Sequence, residues 1–257
     1  MVGGRKRRPT SYVLRPASCE VRILPSAPDV AAEGAGVFVA AAQEAIAARG
    51  VFHVALSGGS TPRALHELLS REPLSRKVDW KRVRFFWGDE RCVPPDSDRS
   101  NYRMALETLL EPLRIPAEHV FRMRGEDQPR AAAASYEEVL GREIGARGPR
   151  LDLIFLGLGP DGHTLSLFPG TRALRERSRT VVANYVPKFR EWRLTVTYPV
   201  VNAARRVVFL AEGAAKRDPA AKILRKKPGF RQLPASGVRP RGGQLLWLLD
   251  QEAGRDL

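Results

Sequence analysis

Only two of the 257 residues are cysteine, Cys19 and Cys92, and no CxxC pair occurs. A disulfide framework and a cysteine-built zinc site are thereby excluded, and a reducing cytoplasm is the expected compartment. The four histidines show neither HxxxH nor HExxH spacing, so no metal is expected. No apolar run approaches the roughly 20 residues that cross a bilayer, so no membrane is expected. No apolar segment follows the RKRR of residues 5–8, which argues against a secretory signal. No repeat of fixed period appears, and low complexity is limited to short alanine runs such as 131–134. Acidic residues are also scarce, 28 against 43 Lys+Arg, for a formal net charge of +15.

That basic excess suits an anionic partner, nucleic acid or a phosphorylated small molecule, or it is solvated surface charge alone. It is densest from Arg205 to Arg241, with eleven Lys/Arg against Glu212 and Asp218. Few aromatics are interleaved there, which weakens a single-strand stacking surface and argues against nucleic acid. Hydrophobic residues at 43% and charged residues at 28% describe a folded chain, long enough for one large α/β domain. Residues 1–18 read as a basic, flexible leader, and 19–257 as one domain undivided by a polar linker.

Apolar β-type runs at 51–56, 83–87, 151–156, 180–183, 194–197, 207–211 and 245–249 alternate with helical patterns. The helices are expected at 27–48, 62–70, 102–110, 129–146 and 214–225. This alternation predicts a Rossmann-like α/β fold: a single domain with a mostly parallel central sheet and helices on both faces. Ligands of such sheets bind outside the carboxyl ends of the strands.

Four strand ends carry glycine followed by polar residues. In the first, Ser57-Gly58-Gly59-Ser60-Thr61 precedes Pro62 and an amphipathic helix, an arrangement that offers backbone N–H groups to an anion or is an ordinary capped helix. Neither a Walker loop nor a GxSxG elbow is present. The second ends in Gly88-Asp89-Glu90-Arg91, where Arg91, held in place by an adjacent carboxylate, suits a phosphate, or the loop is solvated; Ser100 reads as the next helix cap. The third, GLGPDGHT at 157–164, matches GxGxxG, yet Pro169-Gly170 stops any helix early and no ribose-binding acid follows. It leaves His163 as a candidate general base, with Asp161 either orienting it or capping a short helix. In the fourth, Lys216 opens a helix after Gly213, against the helix dipole, which hints at a bound anion.

Together these motifs resemble the 6-phosphogluconolactonase branch of the glucosamine-6-phosphate isomerase/lactonase superfamily. The strings are LSGGSTP (56–62), WGDERCVPPDSDRSNY (87–102), GLGPDGHTLSLFPG (157–170), TVTYPVVNAARRVVFL (195–210), EGAAK (212–216), LPASGVRP (233–240) and LLWLLD (245–250). The resemblance spans about residues 20–254. It implies hydrolysis of 6-phospho-D-glucono-1,5-lactone to 6-phosphogluconate, in the oxidative pentose phosphate pathway, without a cofactor. It further implies His163 as the base that activates water, supported by Asp161. Ser60, Thr61, Arg91 and Lys216 match phosphate-binding positions, on a turn shaped by Gly58 and Gly59. The chain departs from the usual strings at Leu165, at Gly237 and across 184–193. A phosphorylated lactone is thus the expected small-molecule partner, and a monomer suffices.

Two other classes remain open from the sequence: an amino-sugar-phosphate isomerase or deaminase, and a sugar-phosphate-binding module without turnover. The deaminase branch carries DEY and FNEP-type strings that are absent here. A sensing module of this fold needs a helix-turn-helix segment for which 20 leading residues are too few.

Overall fold

The computed structural model describes residues 10–13, 19–145, 148–226 and 229–257. Strands β1 (Thr10–Val13) and β2 (Cys19–Leu24) lead into α1 (Ala27–Arg49), which Gly50 ends in a left-handed cap at φ 77°. Then come β3 (Phe52–Leu56), α2 (Ser60–Leu69), β4 (Val83–Trp87), β5 (Asp89–Arg91) and α3 (Asn101–Ala105). Helix α4 (Pro129–Ile144) precedes β6 (Leu153–Gly157), β7 (Val181–Val186) and β8 (Glu191–Val196). The chain closes with α5 (Tyr198–Ala203), β9 (Arg206–Ala211), α6 (Arg217–Ala221) and β10 (Gln244–Asp250).

The main sheet runs β1-β2-β10-β9-β6-β3-β4, and every pairing in it is parallel except β1 with β2. Strands β4, β6 and β9 each bury three or more consecutive residues, so both faces of the sheet are covered. Phe209 and Trp247, register partners on β9 and β10, stack with ring centroids 3.9 Å apart. From β3 the chain moves outward to β4, whereas from β6 it moves the other way through β9 to β10. The switch point therefore lies between β3 and β6, and a crevice opens at their carboxyl ends.

Several expectations are amended. The runs at 180–183 and 194–197 belong to a separate antiparallel sheet, β5-β8-β7. The short turn from Pro187 to Arg190 permits only that pairing, because parallel strands need a long crossover. Strand β2 was not foreseen, since Glu20 and Arg22 interrupt its apolar residues. Within the stretch read as a flexible leader, Thr10–Val13 pairs with β2; residues 1–9 and 14–18 lie outside the described residues. Helix α1 passes the length and composition test for crossing a bilayer, with a mean hydropathy of 1.3, although no uninterrupted apolar run suggested it. Half of that window is buried, with Phe38 edge-on to Phe52 of β3.

Helix α2 also begins earlier than expected. Gly59, at φ 119°, is the residue before the first turn, so Ser60 and Thr61 are helical rather than caps and Pro62 is third. Proline is still tolerated there, because first-turn N–H groups have no intrahelical partner. The last helical stretch is broken into a tight turn at Ala214–Lys216, α6, and a wide π-turn at Lys222–Lys226.

Candidate active site

All four strand-end motifs meet in one cavity of about 330 Å³. It is lined by the turn after β3, by Asp89 and Arg91 of β5, by the loop after β6 and by Glu212 and Lys216 after β9. Gly58, Gly59, Ser60, Thr61, Arg91, His163 and Lys216 all face it. Asp161 stands behind His163.

The first wall explains its glycines. A Cβ on Gly58 would lie 1.9 Å from Asn101 Oδ1, so no side chain fits between the β3 turn and the start of α3. Gly59 needs its positive φ to deliver Ser60 and Thr61 to the helix start. There the free first-turn N–H groups point toward an anion. The Ser60 hydroxyl donates to Glu212 at 2.6 Å, which closes this wall against the β9 side.

Arg91 reaches the cavity from β5, with one guanidinium nitrogen donating to the Arg99 carbonyl at 2.6 Å and its buried Nε unpartnered. The neighbouring carboxylate does not hold the guanidinium, contrary to expectation. Buried Glu90 instead accepts the backbone N–H groups of Arg91, Asn101 and Tyr102 at 2.7–2.8 Å. Burial raises its pKa, and those three N–H donors oppose the rise. Its work is to pin the 99–102 loop to β5. Ser100 does cap the following helix, accepting from Arg103 N at 3.1 Å.

The loop after β6 forms turns and opens no helix, so GxGxxG here builds no dinucleotide turn. Its glycines serve the histidine. A Cβ on Gly159 would fall 1.9 Å from His163 Nδ1, and Gly162 adopts φ 74° with Leu233 packed against it. His163 Nδ1 lies 2.5 Å from Asp161 Oδ1, and the ring stacks on Phe168 at a centroid distance of 4.0 Å. Lys188 Nζ sits 3.0 Å from the other Asp161 oxygen. Asp161 thus orients the histidine and caps nothing. Burial would raise the Asp161 carboxyl, but hydrogen bonds from His163 and Lys188 outweigh it and hold the pKa at about 2. Burial keeps His163 below the ordinary imidazole value, with Asp161 opposing and the Lys216 charge assisting. The ring is therefore neutral near pH 7, with its Nδ1 proton directed at Asp161 and its Nε2 lone pair available.

Lys216 completes the site. Gly213, at φ 83°, anchors its N–H on both Asp250 oxygens and sends Lys216 inward. Burial lowers the Lys216 pKa, while Asp161 and Glu212 raise it. It makes no ion pair among the described residues, and a half-buried ammonium without a carboxylate partner favours an anionic ligand.

Lys188, Asn101 and Arg193 escaped the sequence reading. Arg193 stands opposite Arg91 in the β5–β8 ladder, and burial followed by the Arg91 charge lowers its pKa. The atypical 184–193 stretch was the available signal for Lys188 and Arg193. Nothing local marks Asn101, whose contacts are set by folding. Two departures are explained by contacts. Leu165, at φ 54°, lays its side chain in the space a Cβ on Gly88 would enter, and a Cβ on Gly237 would meet the Tyr198 ring at 2.6 Å. Among the described residues no three His, Cys, Asp or Glu gather as a metal site.

The profile described as glucosamine-6-phosphate isomerases/6-phosphogluconolactonase matches residues 25–247. A protein of Nostoc sp. named 6-phosphogluconolactonase is 38% identical over 241 residues, covering 92% of this chain and 98% of its own. Its namesake in Synechocystis sp. is 42% identical over 218 residues, covering 83% and 88%. The solved structure titled 6-phosphogluconolactonase from Trypanosoma cruzi superimposes with a TM-score of 0.82 at 30% identity, over 92% of this chain and 96% of that one.

Proposed function

Because the chain belongs to the glucosamine-6-phosphate isomerase/6-phosphogluconolactonase family, we propose that His163 drives lactone hydrolysis as a general base. The reaction is the conversion of 6-phospho-D-glucono-1,5-lactone and water to 6-phospho-D-gluconate, in the pentose phosphate pathway. The observation that supports the role is the His163 ring itself, aligned by Asp161 and facing the cavity.

The phosphate of the substrate sits against the first turn of α2, where Ser60 and Thr61 offer N–H groups and Thr61 its hydroxyl, the Ser60 hydroxyl being held by Glu212. Arg91 and Lys216 neutralise its charge from the β5 and β9 sides. This placement brings the lactone toward the loop after β6. His163 Nε2 takes a proton from water, and the hydroxide adds to C1, pushing the carbonyl pair onto oxygen. Asp161 stabilises the imidazolium that forms. Collapse restores the carbonyl and breaks the bond between C1 and the ring oxygen, which takes the proton back from His163. The imidazole is regenerated, the new carboxylic acid releases its proton to solvent, and only water is consumed. The same reading sets the reaction in the cytoplasm, where the free cysteines Cys19 and Cys92 stay reduced.

A base-uptake assay on freshly generated lactone, with its spontaneous hydrolysis subtracted, tests the proposal. Wild type is expected to accelerate the reaction, and His163→Ala to lose about 10²- to 10⁴-fold. A fully active His163→Ala removes His163 from the mechanism. Calorimetric binding of 6-phosphogluconate to that variant shows whether the phosphate cradle is intact.

A further inference from the structure

The basic excess is not absorbed by the lactone site. Two larger cavities, of about 680 and 710 Å³, lie at the opposite edge of the main sheet. Arg206 and Gln244, which open β9 and β10, line the first, and Arg49, the last residue of α1, joins them. His163 and Lys216 belong to the carboxyl ends of the same strands. The length of β9 therefore separates the first cavity from the lactone site by about 20 Å, whereas the segment behind the second, 234–237, is bonded to Gly162 in the loop after β6. Arg150 lines both cavities, so the two adjoin along its side chain and can serve one elongated groove.

The groove has two halves of different chemistry. In the first, Arg49, Arg150, Arg205 and Arg206 face the carboxylates Asp152 and Glu44. Buried Asp152 accepts the His53 N–H at 2.9 Å and pairs with both Arg49 at 2.8 Å and Arg205 at 3.2 Å. One of those guanidinium groups suffices to neutralise it, so the second is surplus. The Arg205 Nε makes its contact with Asp152 as an ion pair without hydrogen-bond geometry. Arg150 spends its donors on the carbonyls of Ala203 and Gly242, which satisfies geometry but leaves its charge uncompensated.

In the second half, Tyr198 and Phe230 meet edge to face at 5.9 Å, with the Arg177 guanidinium over both rings. Arg241 lines this half, and its side chain has no partner among the described residues. Six arginines against two carboxylates leave an excess of four positive charges along the groove. Carbonyl capping accounts for Arg150 and Arg177. It leaves Arg241 and the second cation on Asp152 without a task.

A ligand that matches both halves carries several linked anionic groups at one end and a flat ring at the other. We propose that this groove is a second, non-catalytic site for a nucleoside polyphosphate. Its phosphates lie among the arginines near Asp152, where planar guanidinium groups give bidentate contacts. Its base lies on the Tyr198–Phe230 half, against the Arg177 guanidinium. Each of the two cavities, about 680 and 710 Å³, is of the size that small-molecule sites occupy.

Calorimetric titration of the full chain with ATP, tripolyphosphate and adenosine, at fixed ionic strength, tests this directly. ATP is expected to bind, tripolyphosphate about tenfold more weakly, and adenosine not measurably. Saturating 6-phosphogluconate should leave ATP binding unchanged, because the two sites share no residue. Arg241→Ala should weaken ATP about tenfold, the loss expected for one charged hydrogen bond, with lactone turnover untouched. Phe230→Ala should weaken ATP and leave tripolyphosphate unaffected. The proposal is overturned by absence of ATP binding at millimolar concentration, by displacement of ATP with 6-phosphogluconate, or by equal affinity for ATP and tripolyphosphate. An Arg241→Ala variant that folds and binds ATP as wild type does overturns it as well.

Discussion

Replacing Gly159 with alanine adds one methyl group at the place where the loop after β6 folds back on the His163 ring, the proposed base. The backbone accepts the change, since Gly159 is not among the residues at positive φ. The added Cβ would lie 1.9 Å from His163 Nδ1 and 2.1 Å from Cε1. Ordinary contact begins at 3.4 Å, so the ring must retreat by about 1.5 Å. It cannot do so freely. Asp161 holds Nδ1 at 2.5 Å, Phe168 stacks on the face, and the Gly159 N–H donates to the His163 carbonyl at 2.8 Å. A retreat breaks the Asp161 contact or opens the loop, and Nε2 moves away from the attacking water. Misplacement of a reacting group by about 1 Å costs on the order of 10²-fold, so kcat is expected to fall about 100-fold or more. Stability should change little. Glycine to alanine gains about 0.4–1 kcal/mol through the unfolded chain, against roughly 1–2 kcal/mol for the lost stacking and hydrogen bond. The measurements are base uptake on fresh lactone and a thermal melt. A variant with kcat within about threefold of wild type refutes the idea that Gly159 makes room for the catalytic ring.

Lys188→Met tests the outer end of the same chain of contacts. Removing that ammonium leaves Asp161 free to stabilise the imidazolium, so the acid limb of kcat/KM should move to higher pH. An exposed pair of this kind carries about 0.5–1 kcal/mol, hence a loss of about two- to fivefold at fixed pH on that limb. Lys188→Arg should restore the limb, and an unmoved profile in Lys188→Met would refute the role. His66 bears on stability instead. It is buried on α2 with Nδ1 3.3 Å from Thr108 Oγ1, and burial, then the Arg63 charge, pushes its pKa down to about 3. The unfolded chain gains its proton near pH 6.5 and the folded chain does not until about 3. Stability is therefore full above pH 6.5 and falls below it by roughly 1.4 kcal/mol per unit. Melts from pH 7 to 4.5 should show this slope in wild type and a shallower one in His66→Gln; equal slopes would rule His66 out.

Much of the site was legible because phosphate and proton chemistry reside on strand ends, and strand ends are local. The apolar run 151–156 followed by GLGPDGH announces a strand and a loop without any tertiary knowledge. The same holds for the β3 turn and for Lys216 behind Gly213. What stayed hidden depends on residues far apart in sequence. Glu90 reads as a partner for the Arg91 guanidinium, yet the N–H groups ten or more residues later claim it once α3 docks. The glycine at 58 reads as room for a ligand until Asn101 is packed against it. Lys188 lies 27 residues from Asp161 and reaches it only because β7 and β8 pair in a separate sheet. Alternating charges disguised β2, and no local pattern separates a parallel strand from an antiparallel one when both are short and apolar.

The three-stranded sheet sets a distance. Arg91 belongs to β5, Lys188 to the turn between β7 and β8, and the hydrogen bonds of two ladders tie them together. The cation proposed to meet the phosphate and the cation behind the proposed base are thus mounted on one stiff ribbon. Such a ribbon is a gauge for the number of carbons between the phosphate and the carbonyl under attack. On the proposed mechanism, a ligand one carbon too short is expected to satisfy Arg91 or to approach His163, not both at once. Discrimination of that kind appears in turnover before it appears in affinity, because the phosphate end still binds.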